Sequence, residues 1–294
     1  MTPPLKSLRH PGPVDGDRID SFIGTALTLE VPLAGAVSLL DAIATPLEAA
    51  GLSGAGVTFE QVKLKPFRYV LPAFSPNVGH IAYYSATQAP QEEIEIACAN
   101  LTYGSKEGAP FLHCHAIWRD HAGRLRGGHV LPSETLLSAP GRAIAFGTAQ
   151  IAMVSKFDAE TNFTLFRPVA KAPATRHTEP ACVLARIKPN VDLIEGIEEV
   201  CRRHHVRSAR VRSGVGSIVG AEFEDGRVIH EHPTEILVLT GQVEVDDREQ
   251  PRADLTIALV DTNGDIHEGR LVRGRNPVLI CFELVLETTG LETT

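Results

Sequence analysis

The feature that most constrains this chain is a repeat of its own pattern. Apolar residues at Val37, Leu40, Ile43 and Leu47 keep the period of a helix face, and 154 positions later Val191, Ile194, Ile197 and Cys201 keep the same one. Further on, the turn-forming Asp120-His121-Ala122-Gly123 stands 141 positions before Asp261-Thr262-Asn263-Gly264, and Gly128 stands 141 before Gly269. The offset shrinks because the first half carries 13 more residues between Glu60 and Gln91. A helix and a hairpin met twice in the same order predict two copies of one unit rather than two unrelated domains. Between them, 168–180 is rich in proline and small residues and reads as a linker. The expected boundaries are an N-terminal arm at 1–22, a first domain at 23–167, the linker at 168–180 and a second domain at 181–290.

The second copy is the easier to read. Ala181–Ile187 is a strand, Asn190 caps the helix that follows, and His204-His205 end it. An alternating run at 207–212 leads into a glycine-rich turn at 213–217. Further strands fall at 219–223, Glu235–Val245, 255–260, 269–272 and 278–287. One main helix among hairpin-linked strands is an α+β pattern, so the expected fold is tandem duplicated domains, each a mostly antiparallel sheet with one packed helix. Pro46 removes a backbone donor in the first helix and predicts that it is short or kinked.

Composition excludes several classes. With 43% hydrophobic and 22% charged residues the chain is too apolar for disorder, and 25 glycines and 20 prolines interrupt any long heptad pattern. No run approaches eighteen apolar residues, so no membrane helix is expected, and the first residues lack the apolar core of a signal peptide. Five scattered cysteines draw neither a disulfide framework nor a paired-cysteine metal knuckle, which fits a cytoplasmic protein. The net charge of −8 is uneven. Through Lys171 there are 14 basic and 15 acidic residues, and beyond it 14 and 21. The first copy is therefore near neutral, and global acidity does not close it to an anionic ligand.

The chemistry concentrates in one hairpin, Phe111-Leu112-His113-Cys114-His115-Ala116-Ile117-Trp118 and, after the turn at 120–123, Gly127-Gly128-His129. Strand alternation puts His113 and His115 on one face with Phe111 and Ile117. Leu112, Cys114, Ala116 and Trp118 take the other. The tight turn brings His129 back across the sheet, so three imidazoles converge. Gly127 and Gly128 leave room for close approach of a ligand or a neighbouring subunit. Three such imidazoles can hold a divalent metal, zinc first, and leave a position for water or substrate. They can also simply line a wet interface.

Comparison of the copies sharpens this. At the places of His113, His115 and His129 the second copy has Asp254, Thr256 and Arg270, so the unit does not need the histidines to fold. His230 and His232, before Glu235, are that copy's own candidates. As acid–base partners we single out Glu134, five residues after the third histidine, and Tyr84, in the insertion that also holds His80 and Tyr83 and that can close over the site. Glu93 and Glu95 are weaker candidates. Arg126 and Arg119 are candidates to hold a carboxylate. No cysteine has a local base, so cysteine nucleophilic catalysis is not favoured.

His113-Cys114-His115 through Gly127-Gly128-His129-Val130-Leu131 resembles the hallmark of the PPC domain family (plants and prokaryotes conserved, DUF296). The run Glu235-Ile236-Leu237-Val238-Leu239-Thr240-Gly241 resembles that family's second signature. The resemblance covers roughly residues 25–145 and 180–288. It implies an α+β domain, assembly as a homotrimer with sites at subunit boundaries, and a metal role for His113, His115 and His129. The second copy departs at all three positions.

Three functions follow as expectations. One is a metal-dependent hydrolase of a small anionic metabolite, an ester or lactone. Another is DNA binding related to transcription, which the family label carries by association. For that reading Arg202, Arg203 and Arg207 are the candidate phosphate contacts, although a solvated helix end explains them as well. Arg273-Gly274-Arg275-Asn276-Pro277 approaches an AT-hook but lacks its core. The third is a ligand-binding assembly without turnover.

Overall fold

The computed structural model describes residues 7–171, 180–230 and 232–291. The first half runs β1 (Ile19–Thr25), β2 (Leu27–Leu33), α1 (Leu39–Ala49), β3 (Gly54–Phe59), β4 (Val62–Leu64), β5 (Tyr69–Val70), β6 (Pro72–Phe74) and β7 (Ala82–Tyr84). It continues with β8 (Ile94–Lys106), β9 (Ala109–Arg119), β10 (Leu125–Val130), β11 (Gly141–Thr148), β12 (Ile151–Phe157) and β13 (Thr164–Ala170). The second half runs β14 (Ala181–Ile187), α2 (Leu193–Arg203), β15 (Val206–Ile218), β16 (Ala221–Glu222), β17 (Val228–Ile229), β18 (Glu235–Val245), β19 (Pro251–Val260), β20 (Ile266–Arg270) and β21 (Val278–Leu291).

These strands make two large, mostly antiparallel sheets, and the fold class is α+β. The first has the order β2-β11-β3-β8-β9-β10-β5, with β4, β12 and β13 attached beside it. The second has the order β1-β14-β21-β15-β18-β19-β20. Set side by side, β2-β11-β3-β8-β9-β10 and β14-β21-β15-β18-β19-β20 are the same path, with α1 and α2 at the same point along it. The chain does not respect the halves at its start: β1 pairs with β14 from Ile19↔Ile187 to Thr25↔Ala181, so the N-terminal segment is the outer strand of the second sheet. Pro168 to Ala170, placed in the linker by composition, complete β13, and 172–179 lie outside the described residues.

Each helix seals the outer face of its sheet. Ile43 and Leu47 of α1 join Leu112, Cys114, Ala116 and Trp118 of β9 in one core, while Leu193, Ile194, Ile197, Val200 and Cys201 of α2 fill the other. The alternation read along β9 is thus the alternation observed. Ser38 caps α1 by accepting from the Asp41 amide, and Asp192 caps α2 by accepting from Glu195. Asn190 is not the cap. It sits at φ 63° and exchanges two hydrogen bonds with the backbone of Leu8, tying down the N-terminal arm. Pro46 is held inside an eleven-residue helix equal in length to α2.

The inner faces of the sheets meet. Phe146, Ile151, Met153 and Phe166 pack with Cys182, Leu184 and Val285, and Ile117 packs with Leu237 and Ala258. Asn100 donates to Val238 O at 3.0 Å and accepts from Gly214 N at 3.2 Å, giving the junction a fixed register. The expected glycine-rich turn at 213–217 is strand instead. Gly214 and Gly216 lie against Phe282 in β15, where a Cβ on Gly214 would come within 2.7 Å of the ring. Those glycines serve close packing, which sequence alone cannot tell from turning.

Candidate metal centre

The β9–β10 ladder pairs His115 directly with His129, and His113 lies two residues along the same face. The candidate ligand atoms of the three imidazoles all fall within 4.8 Å of one another. His115 is 2% exposed, His113 14% and His129 15%, because the second sheet covers this face. Gly127 is what permits the approach beside it: a Cβ there would meet Ile266 at 2.6 Å and Val260 at 2.8 Å.

The second half also supplies the partners. His115 Nδ1 donates to Ile236 O at 2.9 Å, and His113 Nδ1 donates to Glu283 Oε1 at 2.9 Å. With Nδ1 of each ring protonated, each turns a lone pair outward at Nε2. Those two Nε2 atoms stand 3.0 Å apart. Two lone pairs so close repel unless a cation, either a proton or a metal ion, lies against both. Glu235 Oε1 approaches the same point, 3.8 Å from His115 Nε2 and 3.6 Å from His129 Nδ1. Donors 2.0–2.2 Å from a tetrahedral ion stand ~3.3–3.6 Å apart, close to these separations. His129 Nδ1, Glu235 Oε2 and Glu283 Oε2 are buried without a hydrogen-bond partner, which is the state of groups arranged for something bound. The donor set fits a divalent metal.

Electrostatics separate the two histidines of β9. Burial alone would lower His113, but the Glu283 carboxylate, by its charge and its hydrogen bond, carries the pKa above the usual 6.5. Burial and then the flanking imidazoles hold His115 well below 6.5. A carboxylate that fixes the outer nitrogen of a histidine is a common support for a metal-binding imidazole.

Tyr84, from the insertion, meets His129 with ring centroids 5.1 Å apart. Burial, with Glu235 next in weight, pushes its phenol well above the usual range. Tyr84, Tyr83, Phe163, Leu279, Ile280 and Cys281 wall a cavity of about 60 Å³ that opens on His113, His115 and Glu235. His80 meets Phe163 and Tyr83 edge to face, and His232 meets Phe74 in the same way.

The remaining candidates lie elsewhere. Glu134 is exposed in the turn after β10 and Glu95 is exposed on β8, so neither faces the histidines. Arg119 donates to Gly123 O, and Arg126 is bound to Asp120 and Asp265, both at the turn end of the hairpin. Arg202 and Arg203 share Glu199, Arg203 also meets Asp17, and Arg207 meets Glu249, so each guanidinium on that face sits beside a carboxylate. Arg273 and Arg275 are locked to Glu198 and Glu222, and Asn276 N donates to the cap Asp192. That loop is no mobile arm. Burial pushes the Cys98 thiol up to about 11 and the Cys201 thiol to about 12.

Sequence reasoning missed Glu235 and Glu283 as site residues. A signal existed: Glu283 interrupts an otherwise apolar run from Val278 to Leu286, and Glu235 heads another, where a carboxylate has no reason to be buried unless it is paired.

The model of the Plants and Prokaryotes Conserved domain matches residues 177–290. No curated protein matches the chain. Among solved structures, a Pyrococcus horikoshii plant- and prokaryote-conserved protein aligns at 17% identity and TM-score 0.39, over 53% of this chain and 98% of its own. A metal-containing protein from Archaeoglobus fulgidus aligns at 19% and 0.38, over 50% and 96%. A provisionally DNA-binding protein from Bacteroides thetaiotaomicron aligns at 12% and 0.38, over 51% and 97%.

Proposed function

We propose that this chain, a member of the Plants and Prokaryotes Conserved domain family through residues 177–290, holds a divalent metal ion and presents it to a small ligand. His113, His115 and His129 would bind the ion and leave its fourth position open, with Glu235 facing that position and Glu283 orienting His113. The observation that carries this reading is the pair of Nε2 atoms 3.0 Å apart, on rings whose Nδ1 atoms face acceptors, with Oε1 of the buried Glu235 carboxylate 3.8 Å from the nearer ring. When bound, such an ion supplies a Lewis acid and lowers the pKa of water. Tyr84, a neutral phenol at the mouth, is the side chain placed to give a hydrogen bond, and Glu235 is the one placed to take a proton. These are parts that ester or lactone hydrolysis would use. We read the two halves as copies of one domain, with the second copy converted from a site of its own into the wall of the first copy's site.

The test is metal analysis of protein purified without an affinity tag, then titration of the metal-free form with Zn²⁺ and Co²⁺. One ion per chain is expected, lost in His113→Ala and His129→Ala. A wild-type protein that holds no stoichiometric ion and takes up none would refute the reading and leave a proton shared between His113 and His115.

A further inference from the structure

The walls of the cavity also restrict what can enter it. Resting on the metal reading above, we propose that the ligand of this centre is a small uncharged molecule bearing a carbonyl, amide or similar lone-pair donor, and not a carboxylate or phosphate.

Charge is the first argument. Glu235 and Glu283, both at most 5% exposed, already balance a divalent ion, so an anionic ligand would leave a net negative charge in a buried place. Among the described residues, the lining of the cavity includes no lysine or arginine. Arg186 lies behind Cys281, but its guanidinium is bound to Asp158 at 2.5 Å. Arg126 and Arg119, which the sequence offered as a carboxylate clamp, are engaged at the far end of the hairpin.

Shape and hydrogen bonding agree. A cavity of about 60 Å³ accepts roughly four to six water-sized spheres, hence a ligand of only a few heavy atoms inside it. Its walls are aromatic and aliphatic, from Tyr83, Tyr84, Phe163, Leu279 and Ile280. The donors that remain are neutral hydroxyls. One is the Tyr84 phenol. Another is Ser217, whose Oγ accepts from Ile280 N at 3.0 Å and keeps its own proton to give. Neutral donors in an apolar cavity suit a carbonyl oxygen and do little to offset the desolvation of a full charge.

Propionamide and propionate, which have nearly the same shape, separate the alternatives. In the Co²⁺-loaded protein, the visible bands report binding without any turnover. Propionamide is expected to bind at least about tenfold more tightly than propionate, and Tyr84→Phe to weaken it ~fivefold, the worth of one hydrogen bond. Glu235→Gln, which removes one negative charge at constant shape, is expected to shift the preference towards propionate. Propionate binding as tightly as propionamide to the wild type, or neither probe binding, overturns the proposal. If Co²⁺ does not load, the metal reading falls alone. Saturation-transfer NMR with the same two probes on the metal-free protein then decides the ligand class, a preference for propionate again overturning it.

Discussion

Two hairpins of this molecule occupy the same place on the same strand path and do different things. In the first, β9 and β10 set His115 opposite His129. In the second, β19 and β20 set Thr256 opposite Arg270, at equivalent register. Where the first has three imidazoles pressed against carboxylates of the other half, the second has Arg270 bound to Asp254 through two hydrogen bonds of 2.8 and 2.9 Å. The decisive difference is cover rather than backbone. His115 is 2% exposed, whereas Arg270 is 54% exposed and Asp254 42%. The first hairpin gathers its candidate ligands where another sheet lies over it and brings two carboxylates to them. The histidines belong to the first half, yet the centre belongs to both.

The comparison can be broken most directly at its most buried ligand. His115→Ala should weaken Co²⁺ or Zn²⁺ binding at least ~100-fold, more than loss of an outer-shell partner does, as read by calorimetric titration. Retained affinity would mean that the cluster is not the ligand set. Glu283→Gln asks whether the second half matters to the metal at all. Loss of the carboxylate behind His113 should cost ~10–100-fold in affinity, and an unchanged value would reduce the second half to a passive wall.

Acidity gives a smaller and reversible effect. The raised pKa of His113 means that a proton competes with the ion, so metal affinity should fall as the pH drops through that value, which lies above 6.5. The sign for the metal-free protein is opposite. The pair of protonated His113 with Glu283 contributes stability that is complete below about 6.5 and lost as pH rises through the folded pKa. Thermal melts with and without metal across pH 5.5–8.5 would show the two trends crossing, and parallel trends would contradict the assignment. The smallest effect is expected in the second hairpin. Arg270→Ala should change stability by no more than ~1 kcal/mol in a denaturant titration, since its pair is exposed, and should leave metal uptake untouched. A large loss of metal there would mean that the two hairpins are coupled.

Much of this was legible beforehand, for identifiable reasons. The β9 alternation was readable because one face meets a helix and the other does not, so apolar and chemical residues separate with period two. Ala181–Ile187 and Glu235–Val245 were readable as strands because both are bounded by turn-formers and dominated by β-branched and aliphatic residues. The helix cap was misplaced by two residues because Asn190 and Asp192 both suit a cap, and only the pull of Leu8 on Asn190 decides between them. The sequence around Gly214 and Gly216 suits a turn as well as a strand, because glycine signals both turning and close packing, and Phe282, 66 residues on from Gly216, chooses between them.

The sequence by itself determined the α+β class, the hairpin that gathers three histidines and the absence of that set from the matching hairpin of the second half. These follow from short-range patterns in which neighbours in sequence are neighbours in space. The tertiary structure alone decided that β1 joins the second sheet and that the insertion brings Tyr84 onto His129. It also decided that Glu235 and Glu283 close the centre from the other half. Carboxylates 120 and 170 residues from the histidines they meet are joined to them by no local rule. They meet because two sheets must bury their inner faces, and a charge buried there must find its partner in whatever the other sheet presents.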